Sequence, residues 1–294
     1  MNLISGRPIL ITGSHRSGTT WLGHIINQSD QIYRIHEPFN IGIESYPHSP
    51  LKFWFEHLDP TKENPEIKGY IESFNWNYRK GLNEKTGKNL EKLLYLIKSQ
   101  LYKRYLYKDP IALASAEWFF TQFNTQVIVS MRHPAAFVTS LVQKRWDFDF
   151  SNFTKQPLLI RDHLYQYETE IQKYTAFKKP LFENAILLWN CLYQIILTYR
   201  CKYSKQWYFI KNEDLSMNPI KEYEKIFNYL GLKFTTEVRQ EIIKTTKVDR
   251  SDSINRKSLD NIQKWKKILT PSEISIIREK TYPLWRNFYS EEDW

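Results

Sequence analysis

Residues 13–20, Gly-Ser-His-Arg-Ser-Gly-Thr-Thr, decide the fold of this chain. The residues before them, Pro-Ile-Leu-Ile-Thr at 8–12, form a short β-branched run that Gly13 closes, which is typical of a buried strand. From Thr19 onward the apolar residues recur with helical spacing. A glycine-rich loop between a strand and a helix is the setting in which backbone N–H groups and the helix dipole bind a phosphate. The sequence therefore predicts a phosphate-binding loop here.

The rest of the chain alternates short apolar runs with helical patterns. Further strands are expected at 31–35, 105–108, 126–131 and 207–211. Helices are expected at about 89–104, 112–122, 134–145, 180–200, 219–231, 234–246 and 271–289. Such alternation favours a parallel sheet covered by helices on both faces. We therefore expect an α/β, P-loop-like fold of three layers with a central parallel sheet flanked by helices, in a single domain over 1–294.

Composition limits the class of protein. The chain has 294 residues, 41% of them apolar, and a net charge of +10, which attracts polyanions without distinguishing nucleic acid, nucleotide or sulfated glycan. No apolar run approaches the roughly 18 residues that span a bilayer, and no signal peptide is evident, so a soluble cytoplasmic protein is expected. Cys191 and Cys201 lie in one helical pattern, roughly 15 Å apart, and are expected to be reduced. Because no Cys/His cluster has zinc spacing, no metal is expected.

The stretch 16–21, Arg-Ser-Gly-Thr-Thr-Trp, closely resembles the 5′-phosphosulfate loop of sulfotransferases. Cytosolic members carry Lys-Ser-Gly-Thr-Thr-Trp, and Golgi carbohydrate members begin with Arg-Ser-Gly. The resemblance implies that Arg16 contacts the 5′-phosphate or its bridging oxygen. It also implies that the loop holds the phosphosulfate of the donor, 3′-phosphoadenosine 5′-phosphosulfate (PAPS), through Ser17, Gly18, Thr19 and Thr20. Trp21 would pack near the adenine, and a plain core tryptophan is the equally weighted alternative.

A second motif joins the fourth expected strand to a helix. Residues 126–134, Gln-Val-Ile-Val-Ser-Met-Arg-His-Pro, lead into a helical pattern in which Ser140 follows Arg132 by eight residues. In the family that the loop resembles, an Arg before Pro and a Ser at this spacing clamp the 3′-phosphate. The strand end would hold the guanidinium at the carboxyl edge of the sheet, and the helix would bring the hydroxyl back to the same anion. The resemblance therefore implies 3′-phosphate binding by this pair.

The C-terminal part of the chain carries a further match. Residues 265–270, Trp-Lys-Lys-Ile-Leu-Thr, are similar to the Trp-Lys-Asn-x-Phe-Thr segment that closes the cofactor site in cytosolic members. Those enzymes place an Arg-Lys-Gly cluster seven residues before the Trp, whereas here Arg256 lies nine residues before it and no Gly follows the adjoining Lys. The resemblance implies Arg256 as a further 3′-phosphate ligand. A basic, solvated helix face is the alternative.

Candidate catalytic groups follow two of the expected strands. Glu37, in His-Glu-Pro-Phe at 36–39, matches the Tyr-Glu-Pro of carbohydrate-type members, which implies a general base. Partial desolvation is expected to raise its pKa toward neutrality. Lys108 and Asp109 precede a Pro, as in the Lys-x-Pro segment of heparan sulfate members, so Lys108 is implied to steady the sulfuryl oxygens. Asp109 lies near the position of the catalytic His of cytosolic members and is the rival base.

The motifs thus predict an enzyme that transfers a sulfuryl group from PAPS to an acceptor hydroxyl on a carbohydrate or small-molecule alcohol. The product nucleotide would be 3′-phosphoadenosine 5′-phosphate (PAP). Residues 47–87 and 151–179 carry few motifs and are the segments expected to choose the acceptor. A P-loop nucleotide kinase is disfavoured because Thr19 replaces its lysine. A non-catalytic polyanion-binding protein is the other alternative. No nucleic-acid partner is expected, and a monomer or homodimer is the prior for the assembly.

Overall fold

A computed structural model describes residues 6–44, 46, 48–74, 104–246 and 262–294. Its centre is a parallel five-stranded sheet in the order β2-β3-β1-β4-β5. The strands are β1 (Ile9–Gly13), β2 (Ile32–His36), β3 (Arg104–Lys108), β4 (Gln126–Met131) and β5 (Tyr208–Lys211). Helices cover the sheet on both faces, which confirms the expected α/β fold. The helix predicted at 89–104 lies outside the described residues except for Arg104, which begins β3.

Helices connect and flank the strands. They are α1 (Thr19–Ile26), α2 (Ala116–Phe123), α3 (Pro134–Lys144), α4 (Ser151–Thr154), α5 (Pro157–Leu159), α6 (Glu168–Ala176), α7 (Leu181–Tyr203), α8 (Asn212–Met217), α9 (Pro219–Leu230), α10 (Thr236–Thr246) and α11 (Pro271–Lys280). Residues 65–74 are also helical. Shorter 3₁₀ segments cover Ile111–Ser115, Tyr165–Tyr167, Lys264–Lys267, Leu284–Asn287 and Glu291–Asp293, and a π-helical turn covers Ile160–Leu164.

Strand β3 shows how the two faces of the sheet are divided. Successive side chains of a strand point to opposite faces. Leu106 packs in the hydrophobic cluster that contains α1, whereas Tyr105 and Tyr107 pack in the cluster that contains α7. Lys108, two residues after Leu106, therefore lies on the α1 face. Since all five strands are parallel, their carboxyl ends meet at one edge, where the loop at 13–20 and the end of β3 are neighbours.

Helix α7 is a buried part of this architecture. Its mean hydropathy reaches 1.3 over an 18-residue window, which is enough for a membrane span by length and composition. However, 67% of that window is buried within the protein. The sequence expectation concerned uninterrupted apolar runs, and polar residues interrupt α7; among the described residues it is the one candidate span, and its burial is typical of a core helix.

The last predicted helix is shorter than expected. The sequence pattern predicts a helix at 271–289, but α11 ends at Lys280. Pro283 follows, and a proline cannot donate the backbone hydrogen bond that a helix interior requires. Thr270 begins the helix as expected, because its side chain caps the Glu273 N–H in a capping box.

Candidate active site

The phosphate loop is held tightly against the neighbouring strand β4. Gly13 has a φ of 132°, and a Cβ at this position would lie 2.0 Å from the carbonyl oxygen of Ser130. Only glycine tolerates both the backbone conformation and this approach. The Ser130 hydroxyl in turn donates to the Ser17 carbonyl over 2.8 Å. The Ser17 hydroxyl donates to the Ser14 carbonyl. The loop is therefore fixed by contacts within the protein.

The helix that follows the loop has no side-chain cap. Its N-cap is Gly18, in a left-handed conformation with a φ of 90°, and no side chain accepts from the first turn. The first backbone N–H groups of a helix have no intrahelical acceptor, and the helix dipole adds partial positive charge there. Thr19 and Thr20 from this first turn border a cleft of about 710 Å³. Uncapped N–H groups, threonine hydroxyls and positive potential are donors that suit a phosphate or phosphosulfate group.

The same cleft is bordered by the phosphate loop, by the candidate base Glu37 and by a wall of aromatic side chains. Arg16 and Glu37 border it beside the loop. Aromatic and aliphatic side chains form much of the remaining wall, and they are Trp54, Phe55, Ile111, Trp146, Phe148 and Leu188. Trp146 is 48% exposed. Two wall residues, Trp54 and Phe55, come from the segment 47–87, so this segment contributes to the cleft.

Arg16 links the loop to the predicted 3′-phosphate residues. Its backbone is left-handed, with a φ of 65°. Its Nε donates to Ser140 Oγ over 3.0 Å, and its carbonyl accepts from Arg132 Nη1 over 2.8 Å. Its guanidinium carbon lies 5.3 Å from the ring centroid of Trp146. The structure thus brings Arg132 and Ser140 together around Arg16, so the regions assigned to the 5′- and 3′-phosphates share hydrogen bonds.

Arg132 has a rigid backbone. Its N–H donates to the hydroxyl of Tyr193, and that hydroxyl donates to the Arg132 carbonyl. The indole N–H of Trp189 also reaches this carbonyl, over 3.3 Å. These contacts with α7 hold the end of β4 and restrict the direction in which the guanidinium leaves the sheet.

Of the two remaining residues assigned to nucleotide binding, the structure describes Trp21 but not Arg256. Trp21 is fully buried, its indole N–H donates to Thr245 Oγ1 over 3.0 Å, and Tyr223 packs edge-on at 5.1 Å. This placement supports the core tryptophan, the alternative that the sequence left open. Arg256 lies outside the described residues, so its assignment stays a prediction.

The half-buried Glu37 and the buried Lys108 form an ion pair at the carboxyl edge of the sheet. The Glu37 N–H donates to the Lys108 carbonyl over 2.9 Å, and the Lys108 ammonium contacts Glu37 Oε1. Asn40 donates to Glu37 Oε2 over 2.7 Å. The Lys108 side chain is 1% exposed and that of Glu37 is 16% exposed. The carboxylate is therefore held in one orientation beside the cleft.

The pKa of Glu37 corrects one expectation. Burial raises the pKa of this carboxyl, but the charge of Lys108 and the hydrogen bonds from Lys108 and Asn40 outweigh burial, so the pKa lies below its ordinary value of 4.5. The predicted shift toward neutrality is wrong because it considered desolvation without the buried cation. Glu37 is ionised at neutral pH and can accept a proton without losing one first.

Asp109, the rival base, is engaged in a backbone turn. It has no exposed surface, and its oxygens accept from the N–H groups of Phe39 (2.5 Å), Ile111 (2.9 Å) and Ala112 (3.2 Å). Burial raises the pKa of Asp109 to about 7, although the hydrogen bond from Phe39 opposes this rise. These contacts tie the turn after β2 to the end of β3 and indicate a structural carboxyl group.

The histidines beside the phosphate motifs are buried. Burial, helped by the charge of Arg16, lowers the pKa of His15 to about 4. Burial also lowers the pKa of His133 to about 3, and its ring stacks on Trp265 at 5.0 Å. Both are neutral at physiological pH, and their lowered pKa values make them weak bases.

Buried histidines also predict acid sensitivity. His163 behaves like the other two, since burial lowers its pKa to about 4. Between these values and the ordinary 6.5, the unfolded chain binds protons that the folded chain refuses. Each histidine then removes up to about 1.4 kcal/mol of stability per pH unit as the pH falls. Burial also raises the pKa values of Asp109, Glu213 and Asp214, and these three carboxyl groups oppose the trend. With His36, whose pKa burial lowers too, four histidines outnumber them among the described residues. We expect a lower free energy of unfolding at pH 5 than at pH 7, measured by urea titration. An equal or higher value at pH 5 would contradict the conclusion that these histidines are buried in the neutral form.

Sequence reasoning missed Asn40 and Trp146 as parts of the site. Asn40 is the last residue of a turn, and its backbone N–H donates to the Glu37 carbonyl over 3.0 Å. The sequence Glu-Pro-Phe-Asn at 37–40, with Pro at the second position, is typical of a β-turn and could have indicated that Asn40 lies beside Glu37. Trp146 follows α3 and gave no local signal, because its contact with Arg16 depends on the tertiary packing of α3 against the loop.

Comparison with known proteins identifies the family. The model of the sulfotransferase domain matches residues 7–292. The fold is similar to the sulfotransferase domain from the curacin biosynthetic pathway, with 16% identity, 94% of this chain and 97% of that chain covered, and a TM-score of 0.52. Weaker likenesses include the sulfotransferase domain of the Synechococcus PCC 7002 olefin synthase (16% identity, 95% and 96% covered, TM-score 0.49). Another is mouse sulfotransferase SULT7A1 complexed with PAP (13% identity, 99% and 89% covered, TM-score 0.46). No curated protein matches the chain.

The extent of the family match decides between the functions that the sequence left open. The match to the sulfotransferase domain model over residues 7–292 favours this family over a P-loop kinase or an unrelated polyanion-binding protein. The expected family and enzyme class are confirmed. This protein belongs to the sulfotransferase family and is an enzyme that transfers sulfuryl groups.

Proposed function

We propose that the protein transfers the sulfuryl group of PAPS to a hydroxyl of a carbohydrate or small-molecule alcohol. The observation that carries this proposal is the convergence of an uncapped helix N-terminus and an ionised, half-buried Glu37 on one cleft. The first suits the phosphosulfate of a donor, and the second suits proton removal from an acceptor. We further propose that the chain is one domain over 1–294 and acts in the cytoplasm as a monomer or homodimer without a nucleic-acid partner.

The residues of the cleft divide the work of the reaction between them. The loop amides, Thr19 and Thr20 would bind the phosphosulfate. Arg16 would stabilise the charge that develops on the leaving phosphate. Glu37 would take the acceptor proton as the acceptor oxygen bonds to sulfur and the bond from sulfur to the phosphate oxygen breaks, with PAP leaving. Lys108 would orient the Glu37 carboxylate and steady the sulfuryl oxygens.

The experiment that tests this function follows the labelled sulfuryl group. The protein is incubated with [³⁵S]PAPS and either N-acetylglucosamine or 2-naphthol as carbohydrate and alcohol probes, and a wider acceptor library is scanned by mass spectrometry for the added sulfonate mass. We expect label transfer that depends on PAPS and yields PAP. Tight PAP binding without transfer to any library member or to water would contradict the proposal.

Nucleotide binding is expected to depend on the 3′-phosphate. PAP should raise the melting temperature far more than adenosine 5′-phosphate does, and Arg132→Ala should remove most of that difference. The reason is the fixed backbone of Arg132 and its contact with the loop at the Arg16 carbonyl. Arg145→Ala, which removes an exposed arginine from the wall of the same cleft, is the matched control and should keep the difference. Equal shifts by the two nucleotides in the wild-type protein would refute the assignment.

A further inference from the structure

Gly23 on helix α1 lies directly against the side chain of Lys108. A Cβ at Gly23 would be 2.9 Å from Cγ and 3.3 Å from Cβ of Lys108, whereas the third neighbour, Ile11 Cδ1, would be at an ordinary 3.8 Å. Nonbonded carbon atoms essentially never approach a Cβ within 3.0 Å in folded proteins, so a methyl group here requires that Lys108 move. The affected atoms are at the root of the lysine side chain, and their displacement would swing the whole side chain.

Lys108 has little freedom to accommodate such a change. It is the last residue of β3, with Cα partners in Ile11 of β1 and His36 of β2. Its side chain runs on the α1 face and is 1% exposed. Packed interiors transmit displacements because they hold few voids. A shift of the stem would therefore be passed on to the ammonium group that contacts Glu37.

The backbone of α1 does not by itself require glycine at this position. Gly23 is helical and is not among the glycines with positive φ, which in the described residues are Gly6, Gly13, Gly18 and Gly231. Glycine weakens a helix interior relative to alanine. The helical conformation at position 23 thus favours alanine. The side chain of Lys108, which fills the space beside this position, is what excludes alanine.

We propose that Gly23 is a positioning residue: its missing side chain lets the stem of Lys108 lie against α1 so that the ammonium group reaches Glu37. The catalytic consequence rests on the proposed function, in which Glu37 is the base. The geometric claim concerns this chain alone. Gly23→Ala should separate the ammonium from the carboxylate and loosen the orientation of Glu37.

A titration tests the geometry without any substrate. The carboxyl carbons of glutamate are labelled with ¹³C, and the Glu37 signal is assigned by its loss in Glu37→Gln. We expect the pKa of Glu37 to rise in Gly23→Ala, because the lysine charge that lowers it has moved. Lys108→Ala should raise it further. Gly69→Ala is the matched control, since a Cβ at this exposed glycine meets nothing within 4 Å, and it should leave the titration unchanged.

A double-variant cycle tests whether Gly23→Ala acts through the Lys108 side chain. Lys108→Ala removes the Cγ that alanine at 23 would strike and leaves only the contact with Cβ at 3.3 Å. Gly23→Ala should therefore cost much less stability in the Lys108→Ala background than in the wild-type protein. If Gly23→Ala alone does not fold, Gly23→Ala/Lys108→Ala should still fold with a melting temperature close to that of Lys108→Ala. An equal loss of stability in both backgrounds, or an unchanged Glu37 pKa in a folded Gly23→Ala, would overturn the proposal.

Turnover then links the geometry to catalysis. With [³⁵S]PAPS at saturation, Gly23→Ala should lower turnover by roughly tenfold to a hundredfold, the range expected when a reacting group is misplaced by about 1 Å. PAP affinity should be kept, and Gly23→Ala should add nothing in the Lys108→Ala background. If the wild-type protein transfers no label, the proposed function fails, while the titration and the stability cycle still decide the role of Gly23.

Discussion

Replacing Glu37 with Gln is expected to lower turnover by roughly two to four decades, the range for loss of a general base. The amide has the shape of the carboxyl group, and its oxygen can still accept from Lys108 or Asn40. It cannot take the acceptor proton. We therefore expect the fold and the affinity for PAP to be retained, so that the loss falls on the chemical step in single-turnover measurements at saturating PAPS.

The pH profile gives a second measurement of the same assignment. Because Lys108 and Asn40 hold the pKa of Glu37 below 4.5 despite its burial, the base is ionised throughout the neutral range. Turnover of the wild-type protein should show no loss from protonation of its base between pH 6 and 8. A loss centred near pH 7 would instead match Asp109, whose pKa burial raises to about 7.

Asp109→Asn is the comparison that separates the two carboxyl groups. It should cost less turnover than Glu37→Gln, because Asp109 has no exposed surface and serves three backbone N–H groups. An asparagine can serve only some of these donors with its single oxygen, so stability should fall instead. If Asp109→Asn proves the more damaged in turnover with PAP binding intact, the two roles must be exchanged.

The sequence predicted the site because its motifs follow strand ends. The loop at 13–20 follows β1, Glu37 follows β2, and Arg132 follows β4. In a parallel sheet the carboxyl ends lie at one edge, so these residues lie along that same edge whatever the intervening segments do. The strand positions themselves were readable because buried parallel strands are short, apolar and β-branched.

The features that the sequence could not predict depend on contacts between residues far apart in the chain. The pKa of Glu37 is set by Lys108, which lies 71 residues away. Trp21 has the same local surroundings whether it meets adenine or the core, and its bond to Thr245, 224 residues away, supports the core. The early end of α11 differs, since Pro283 was a local signal that the apolar period at 271–289 obscured.

Replacing Arg16 with Ala should damage the chemical step as well as donor binding. A cation beside the leaving phosphate gains strength as charge develops there, so its contribution is larger in the transition state than in the bound donor. Arg16 is preorganised for this task, because Ser140 accepts from its Nε over 3.0 Å and Trp146 covers its guanidinium at 5.3 Å. Removing one preorganised contact of this kind costs on the order of a hundredfold in rate.

Arg16→Lys separates the charge of this residue from its geometry. Lysine keeps the cation that the cytosolic members of the family carry here, but it loses the planar group that bonds Ser140 and packs on Trp146. We expect Arg16→Lys to retain more turnover than Arg16→Ala at saturating PAPS, with both variants weaker than wild type in PAP affinity measured by calorimetry. Trp146→Phe, which preserves an aromatic face over the guanidinium, should stay close to wild type. Unchanged turnover of Arg16→Ala at saturating donor would show that Arg16 lines the loop without acting on the leaving group, and the electrostatic role would then pass to the uncapped amides of α1.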